Sequence, residues 1–152
     1  MTKIMCAAMG IAAALGLAPL AGADPSVGHF TIVRTQSPSM SCVVGSDDVD
    51  PGIGPNVTCQ SREGDGFPVS PIEPEFATHR YQATVTAAGE LAYRDANIPT
   101  VGDEYVPHEL TNGEVYHFHG WTIMPTGDGV SFTHDETGHG MSVSTDQNVK
   151  AF

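Results

Sequence analysis

The chain has 152 residues and a formal charge of −12, from 18 acidic and only six basic side chains. That balance excludes a phosphate-binding surface of the nucleic-acid kind, which needs clustered Lys and Arg, and it disfavours anionic membranes. Long helical periodicity is absent, so helical bundles and parallel α/β folds are excluded as well.

Residues 1–23 have the make-up of a secretory signal peptide. Lys3 gives a short positive region, Ile4 to Leu20 is apolar, and Ala21-Gly22-Ala23 provides a small-x-small cleavage site before Asp24-Pro25. Cleavage there predicts a secreted chain of residues 24–152, one domain, with residues 24–28 as a flexible N-terminus and no membrane-spanning segment left. Losing Lys3 moves the formal charge from −12 to −13. Two cysteines remain, Cys42 and Cys59, and in an oxidising compartment an even pair reads as one disulfide. Cys6 precedes the apolar region and is badly placed for lipid attachment.

His29 to Arg34 alternates weakly and predicts a first strand. Met40–Val44 and Asn56–Gln60 predict a hairpin stapled by Cys42 and Cys59. Between them, residues 45–55 form a Gly/Asp/Pro loop. Its Asp47, Asp48 and Asp50 lack the spacing of a calcium loop. Asn56-Val57-Thr58 is formally a glycosylation sequon. Arg62–Glu75, with Pro68, Pro71 and Pro74, excludes a regular helix or central strand; Glu75–His79 admits a short helix. Tyr81–Ala87 and Glu90–Arg94 flank an Ala88-Gly89 turn and predict a second hairpin. Asn97–Pro107 is irregular, and Asn112-Gly113 signals a turn.

The last forty residues carry the clearest pattern. Val115–Phe118, Trp121–Met124, Val130–Thr133 and Gly140–Ser144 all have strand character. Gly127-Asp128-Gly129 and Thr137-Gly138-His139 supply turns, and the last three strands read as a meander. Trp121, in the densest strand region, is expected in the core. The fold class that follows is all-β: a small antiparallel sandwich or barrel built from hairpins, with irregular Pro/Gly-rich connections. A half-hidden repeat sets Ile123 and Phe132 where the first hairpin has Cys42 and Cys59, as an apolar cross-strand pair in place of a disulfide.

Several of these residues resemble a known layout. Ser37-Pro38-Ser39, Cys42, Val57-Thr58-Cys59, Gly129-Val130-Ser131-Phe132 and Thr137-Gly138-His139-Gly140 are similar to small secreted mycobacterial and actinobacterial proteins with a domain of unknown function. That family typically has a late cysteine pair, which this chain replaces with Ile123 and Phe132, and a middle pair, which it lacks. The resemblance implies export and architecture; it implies no activity.

Two places could carry chemistry. His117-Phe118-His119, read as a strand, puts two imidazoles on one face. With His139, His134 or a carboxylate they form a candidate zinc site, against the plainer reading that both face solvent. A cupin-like site is excluded, because it needs a Glu a few residues after the second His, where Gly120-Trp121-Thr122-Ile123-Met124 follows. Gly138-His139-Gly140 could expose His139 as a base, with Asp135 or Glu136 nearby and Ser142 or Ser144 as nucleophile; the plainer reading is a hairpin turn. No nucleophile elbow is present. Glu73/Glu75 and Asp135/Glu136 are pairs of the kind glycosidases use, though adjacent carboxylates are expected by chance in so acidic a chain. The sequence therefore favours a non-enzymatic binding or structural module of the cell envelope or extracellular space, with an envelope or host-side partner. The competing reading is a His-based metal-binding protein or hydrolase using His117, His119 and His139.

Overall fold

The computed structural model describes residues 29–35, 40–46, 52–61, 66–96, 98 and 106–152. The signal segment, residues 24–28, Ser37-Pro38-Ser39 and Asp47, Asp48 and Asp50 lie outside the described residues. In chain order the strands are β1 (Phe30–Thr35), β2 (Met40–Gly45), β3 (Asn56–Ser61), β4 (Ile72–Glu73), β5 (Thr78–His79), β6 (Gln82–Thr86), β7 (Leu91–Arg94), β8 (His108–Glu109), β9 (Tyr116–Phe118), β10 (Trp121–Thr126), β11 (Gly129–His134), β12 (Gly140–Ser144) and β13 (Val149–Ala151). Among the described residues there is no helix.

Two open sheets make a β-sandwich, not a closed barrel. One has the order β7-β6-β3-β2-β1-β8, the other β13-β12-β11-β10-β9. The first is built on the stapled hairpin: Cys42 and Cys59 lie directly opposite each other and form the disulfide. Because side chains alternate along a strand, Met40, Cys42 and Val44, then Val57 and Cys59, then Ala83 and Val85, all turn to one face. Each is wholly buried. The second sheet answers with Trp121, Ile123, Phe132, Met141 and Val143, in the same apolar cluster. Ile123 is the register partner of Phe132, so the apolar pair does occupy the place that the cysteines hold in the first hairpin.

Four features depart from the sequence reading. First, the meander has five strands, extended by β9 and by β13, whose three residues are too few for a periodic signal. Second, β8 pairs parallel to β1. It lies at the opposite edge of the sheet from β7, so these two strands, consecutive in the chain, are not hairpin partners. Ile98, on the link between them, is buried and its amide donates to Gln60 Oε1. Ser41, Gln82 and Thr84 point away from the core by strand alternation, yet are also buried. Third, residues 75–79 form no helix. Ala77 N donates to Glu73 O at 2.8 Å, a single helical-type turn. Ala77 then takes φ 53° and the chain returns as β5 against β4; five residues after Pro74 cannot offset the cost of helix nucleation. Fourth, His119 is not in a strand, with consequences for the site.

Candidate functional site

Strand β9 ends at Phe118, which pairs with Trp121. His119 and Gly120 are thus the two central residues of a hairpin turn, with φ 51° and 78°. Positive φ at both positions is the type I′ geometry whose twist suits a two-residue hairpin. Gly accepts it freely, and His is among the side chains enriched there. The strand alternation that would have aligned His119 with His117 therefore stops one residue early.

The two histidines part company. His117 is exposed on β9, with Nδ1 3.0 Å from Thr122 Oγ1 on the neighbouring strand. Thr122 Oγ1 donates its one proton to Asp135 Oδ1 at 2.5 Å, so His117 Nδ1–H is the donor to Thr122. The chain Asp135–Thr122–His117 resembles a nucleophile relay in composition only. A hydroxyl activated for attack gives its proton to the imidazole; this one gives it to the carboxylate.

His119 reaches across to the other sheet, where Nε2 lies 3.0 Å from Thr31 Oγ1 on β1. Burial pushes its pKa below the ordinary imidazole value; the nearby His29 acts the same way, and a backbone hydrogen bond to Phe30 opposes them. Above the ordinary value both folded and unfolded chains hold this ring neutral. Below it the unfolded chain binds a proton that the folded chain refuses, so stability falls with pH until the folded pKa is passed. Urea midpoints measured from pH 7 to pH 5 should therefore decline. His119→Asn, which keeps a residue tolerant of positive φ, should flatten that decline. An unchanged slope would exclude His119 as its source.

His134 and His139 are packing groups. His134 is buried, edge-on to Trp121 at 5.0 Å, with Nδ1 3.3 Å from Thr137 Oγ1. Thr137 Oγ1 in turn donates to Ala87 O at 2.6 Å. The His139 ring lies 3.1 Å from where a Cβ on Gly89 would stand, and its Nδ1 is 3.3 Å from Phe152 O. The Thr137-Gly138-His139 turn thus docks on the Ala87–Gly89 turn of the opposite sheet. His117, His119 and His139 each meet a different partner. Among the described residues no three His, Cys, Asp or Glu side chains are grouped to hold a metal ion.

The glycines flanking His139 do different work. Gly138 has φ 73° and open space around it, whereas a Cβ on Gly140 would fall 1.9 Å from the backbone oxygen of Phe132. Gly138→Ala should cost about 1–2 kcal/mol, the left-handed penalty. Gly140→Ala must push β11 from β12 and should cost more, at or beyond the roughly 1–3 kcal/mol of an overpacked core. Thermal unfolding of the two variants checks the order; equal losses would contradict it.

The remaining candidates disperse. Glu73 is held by Arg80, which also binds Asp95. Asp135 is taken by Thr122, while Glu75 and Glu136 are exposed. Asn56 of the sequon is buried in β3, with its amide donating to Gly54 O at 2.9 Å, so its side chain is not offered as a surface acceptor.

One feature escaped the sequence reading. The arm of residues 66–80, carrying β4 and β5, exposes three apolar side chains: Val69 at 48%, Ile72 at 59% and Phe76 at 69%. The arm is anchored firmly. Phe67 is wholly buried and its amide donates to Arg80 O at 2.9 Å. His79 Nδ1 is 2.8 Å from Ser70 O, and Arg80 N donates to Ser70 Oγ at 2.7 Å. Gly66 lies so close to the carbonyls of His79 and Arg80 that a Cβ would stand 2.6 Å from each oxygen. The sequence signal was three apolar residues set among three prolines, which carries no period and so reads only as irregular chain. No family model, curated protein or solved structure matches this chain.

Proposed function

We propose that this protein is a secreted, non-enzymatic binding module of the cell envelope or extracellular space. The observation that carries the reading is the 66–80 arm, a braced projection that holds Val69, Ile72 and Phe76 in solvent. Exposed apolar side chains gathered on one rigid element mark interaction surfaces more often than scattered ones do. The buried disulfide supports an oxidising compartment. The signal-like residues 1–23 and the resemblance to small exported mycobacterial proteins support the same location. The engagement of every histidine in a local contact favours this reading over a histidine-based hydrolase.

Immobilised protein should retain a specific partner from envelope or extracellular extracts. Ile72→Ser with Phe76→Ser should release it while leaving the unfolding midpoint nearly unchanged, because both side chains are already exposed. Retention of nothing by the parent protein, or equal retention by the double variant, would overturn the reading.

A further inference from the structure

Four of the seven histidines gather around the two-residue turn His119-Gly120. His117 precedes the turn on β9, and His119 is its first residue. His134 lies beneath it, with Nε2 3.8 Å from where a Cβ on Gly120 would stand. His29, at the head of β1, is close enough to act on His119 by charge. The turn also joins the two sheets, because His119 Nε2 meets Thr31 Oγ1 of β1 at 3.0 Å. Strand β9 is a three-residue edge strand with β10 as its one partner in the sheet. So short a ladder has few hydrogen bonds of its own, and the contact across to β1 matters to its hold.

The opposite charges nearby are unevenly placed. From β11, Asp135 reaches His117 through Thr122. His117 Nδ1 is already a donor there, so a second proton leaves that bond intact. From β8 come His108, packed on Tyr116 and Phe118, and Glu109, which Arg34 of β1 holds. Strand β10 has no titratable residue, and Glu114 and Glu136 are exposed. Among the described residues neither His119 nor His134 has a carboxylate as hydrogen-bond partner. His134 Nδ1–H donates to Thr137 Oγ1, since that hydroxyl gives its own proton to Ala87 O. A second proton on this buried ring must therefore go on Nε2, directly under the turn.

We propose that the His119-Gly120 turn is a proton-operated latch between the two sheets, closed on Thr31 at neutral pH and released as the solution falls through about pH 6, where imidazoles take up protons. Protonation sets like charges on His29, His119 and His134 around two residues, and water stabilises each charge better than the half-buried turn does. The depressed pKa of His119, caused chiefly by burial and also by His29, has the matching sign. The open turn binds a proton that the closed turn resists, so acid favours opening. Release frees the end of the β9–β10 hairpin, where Phe118 pairs with Trp121.

Amide hydrogen exchange of the full chain at pH 7 and pH 5, corrected for intrinsic rates, is the test. Protection at residues 117–122 should fall by about tenfold, the factor that one unit of proton linkage supplies. Protection at Val57–Cys59 in β3, far along the other sheet, should hold. His29→Asn alters an exposed side chain, removes a like charge without touching the core, and should shrink the fall. His119→Asn should remove most of it. The latch is overturned if protection at 117–122 is equal at the two pH values, if β3 loses as much, or if either variant falls as far as the parent.

Discussion

Breaking the Cys42–Cys59 disulfide is expected to lower the unfolding free energy by about 3 kcal/mol, the chain-entropy value for a closed loop of this size. The cross-link spans 17 positions and restricts the unfolded chain far more than the folded one. Both sulfurs are wholly buried between the two central strands of the first sheet, so their effect on packing has to be separated from their effect on chain entropy. Three samples achieve this: the oxidised protein, the same protein unfolded in reductant, and the Cys42→Ala/Cys59→Ala variant. The reduced protein keeps its sulfur atoms in the core and reports the loss of the cross-link. The double variant also loses two buried sulfurs and should unfold at a still lower urea concentration, because vacated core volume is costly. Since domains of this kind are stable by only about 5–15 kcal/mol, the shift in midpoint should be large. Coincident midpoints for oxidised and reduced protein would show that the staple contributes nothing.

The second large effect is expected at Phe132. This ring is wholly buried at the register partner of Ile123, and Met141 lies opposite it on β12. The second sheet has no cross-link, so apolar packing and the strand hydrogen bonds together carry the cohesion that a disulfide shares in the first. Phe132→Ala should cost about 3–5 kcal/mol, against about 0.5–1.5 kcal/mol for Ile123→Val, since the residual cavity grows with the volume removed. Trp121 lies on the same buried face of the neighbouring strand, two residues from Ile123, and its fluorescence reports any loosening. A Phe132→Ala loss below about 1 kcal/mol would mean that the core closes over the gap, and the description of the Ile123–Phe132 pair as the second sheet's staple would be wrong. Among the described residues three buried side-chain atoms, Arg34 Nε, Ser41 Oγ and Trp121 Nε1, have no hydrogen-bond partner.

The site was less legible than the fold, and His119 shows why. Its position in a His-Phe-His triplet suggests a strand face, but the following Gly120 makes His119-Gly120 a hairpin turn. One residue's change of backbone conformation sends the side chain to Thr31, 88 positions away in sequence. The Thr137-Gly138-His139 turn poses a similar difficulty. That it is a turn can be read locally; that it rests on Ala87 and Gly89 depends on how two sheets meet. The exposed arm was hidden for a different reason. Val69, Ile72 and Phe76 look like core residues until burial is known, and apolar identity alone does not assign a side chain to the inside.

Read alone, the sequence determined the features that depend on neighbouring residues. These are the strand alternation of β1, β2, β3, β6 and β10 to β12, the turns at Gly89 and Gly127-Asp128, the pairing of the only two cysteines after residue 23, and the apolar pair at Ile123 and Phe132. Each follows from side-chain period or local backbone freedom, which act within a few residues. Only the tertiary structure decided that β8 joins β1 in parallel, that His117, His119 and His139 diverge, that the outer faces of the two sheets differ, and that a sandwich forms instead of a barrel. Those outcomes rest on contacts between residues tens of positions apart, and nothing in a short window of sequence encodes which distant surface a side chain will meet.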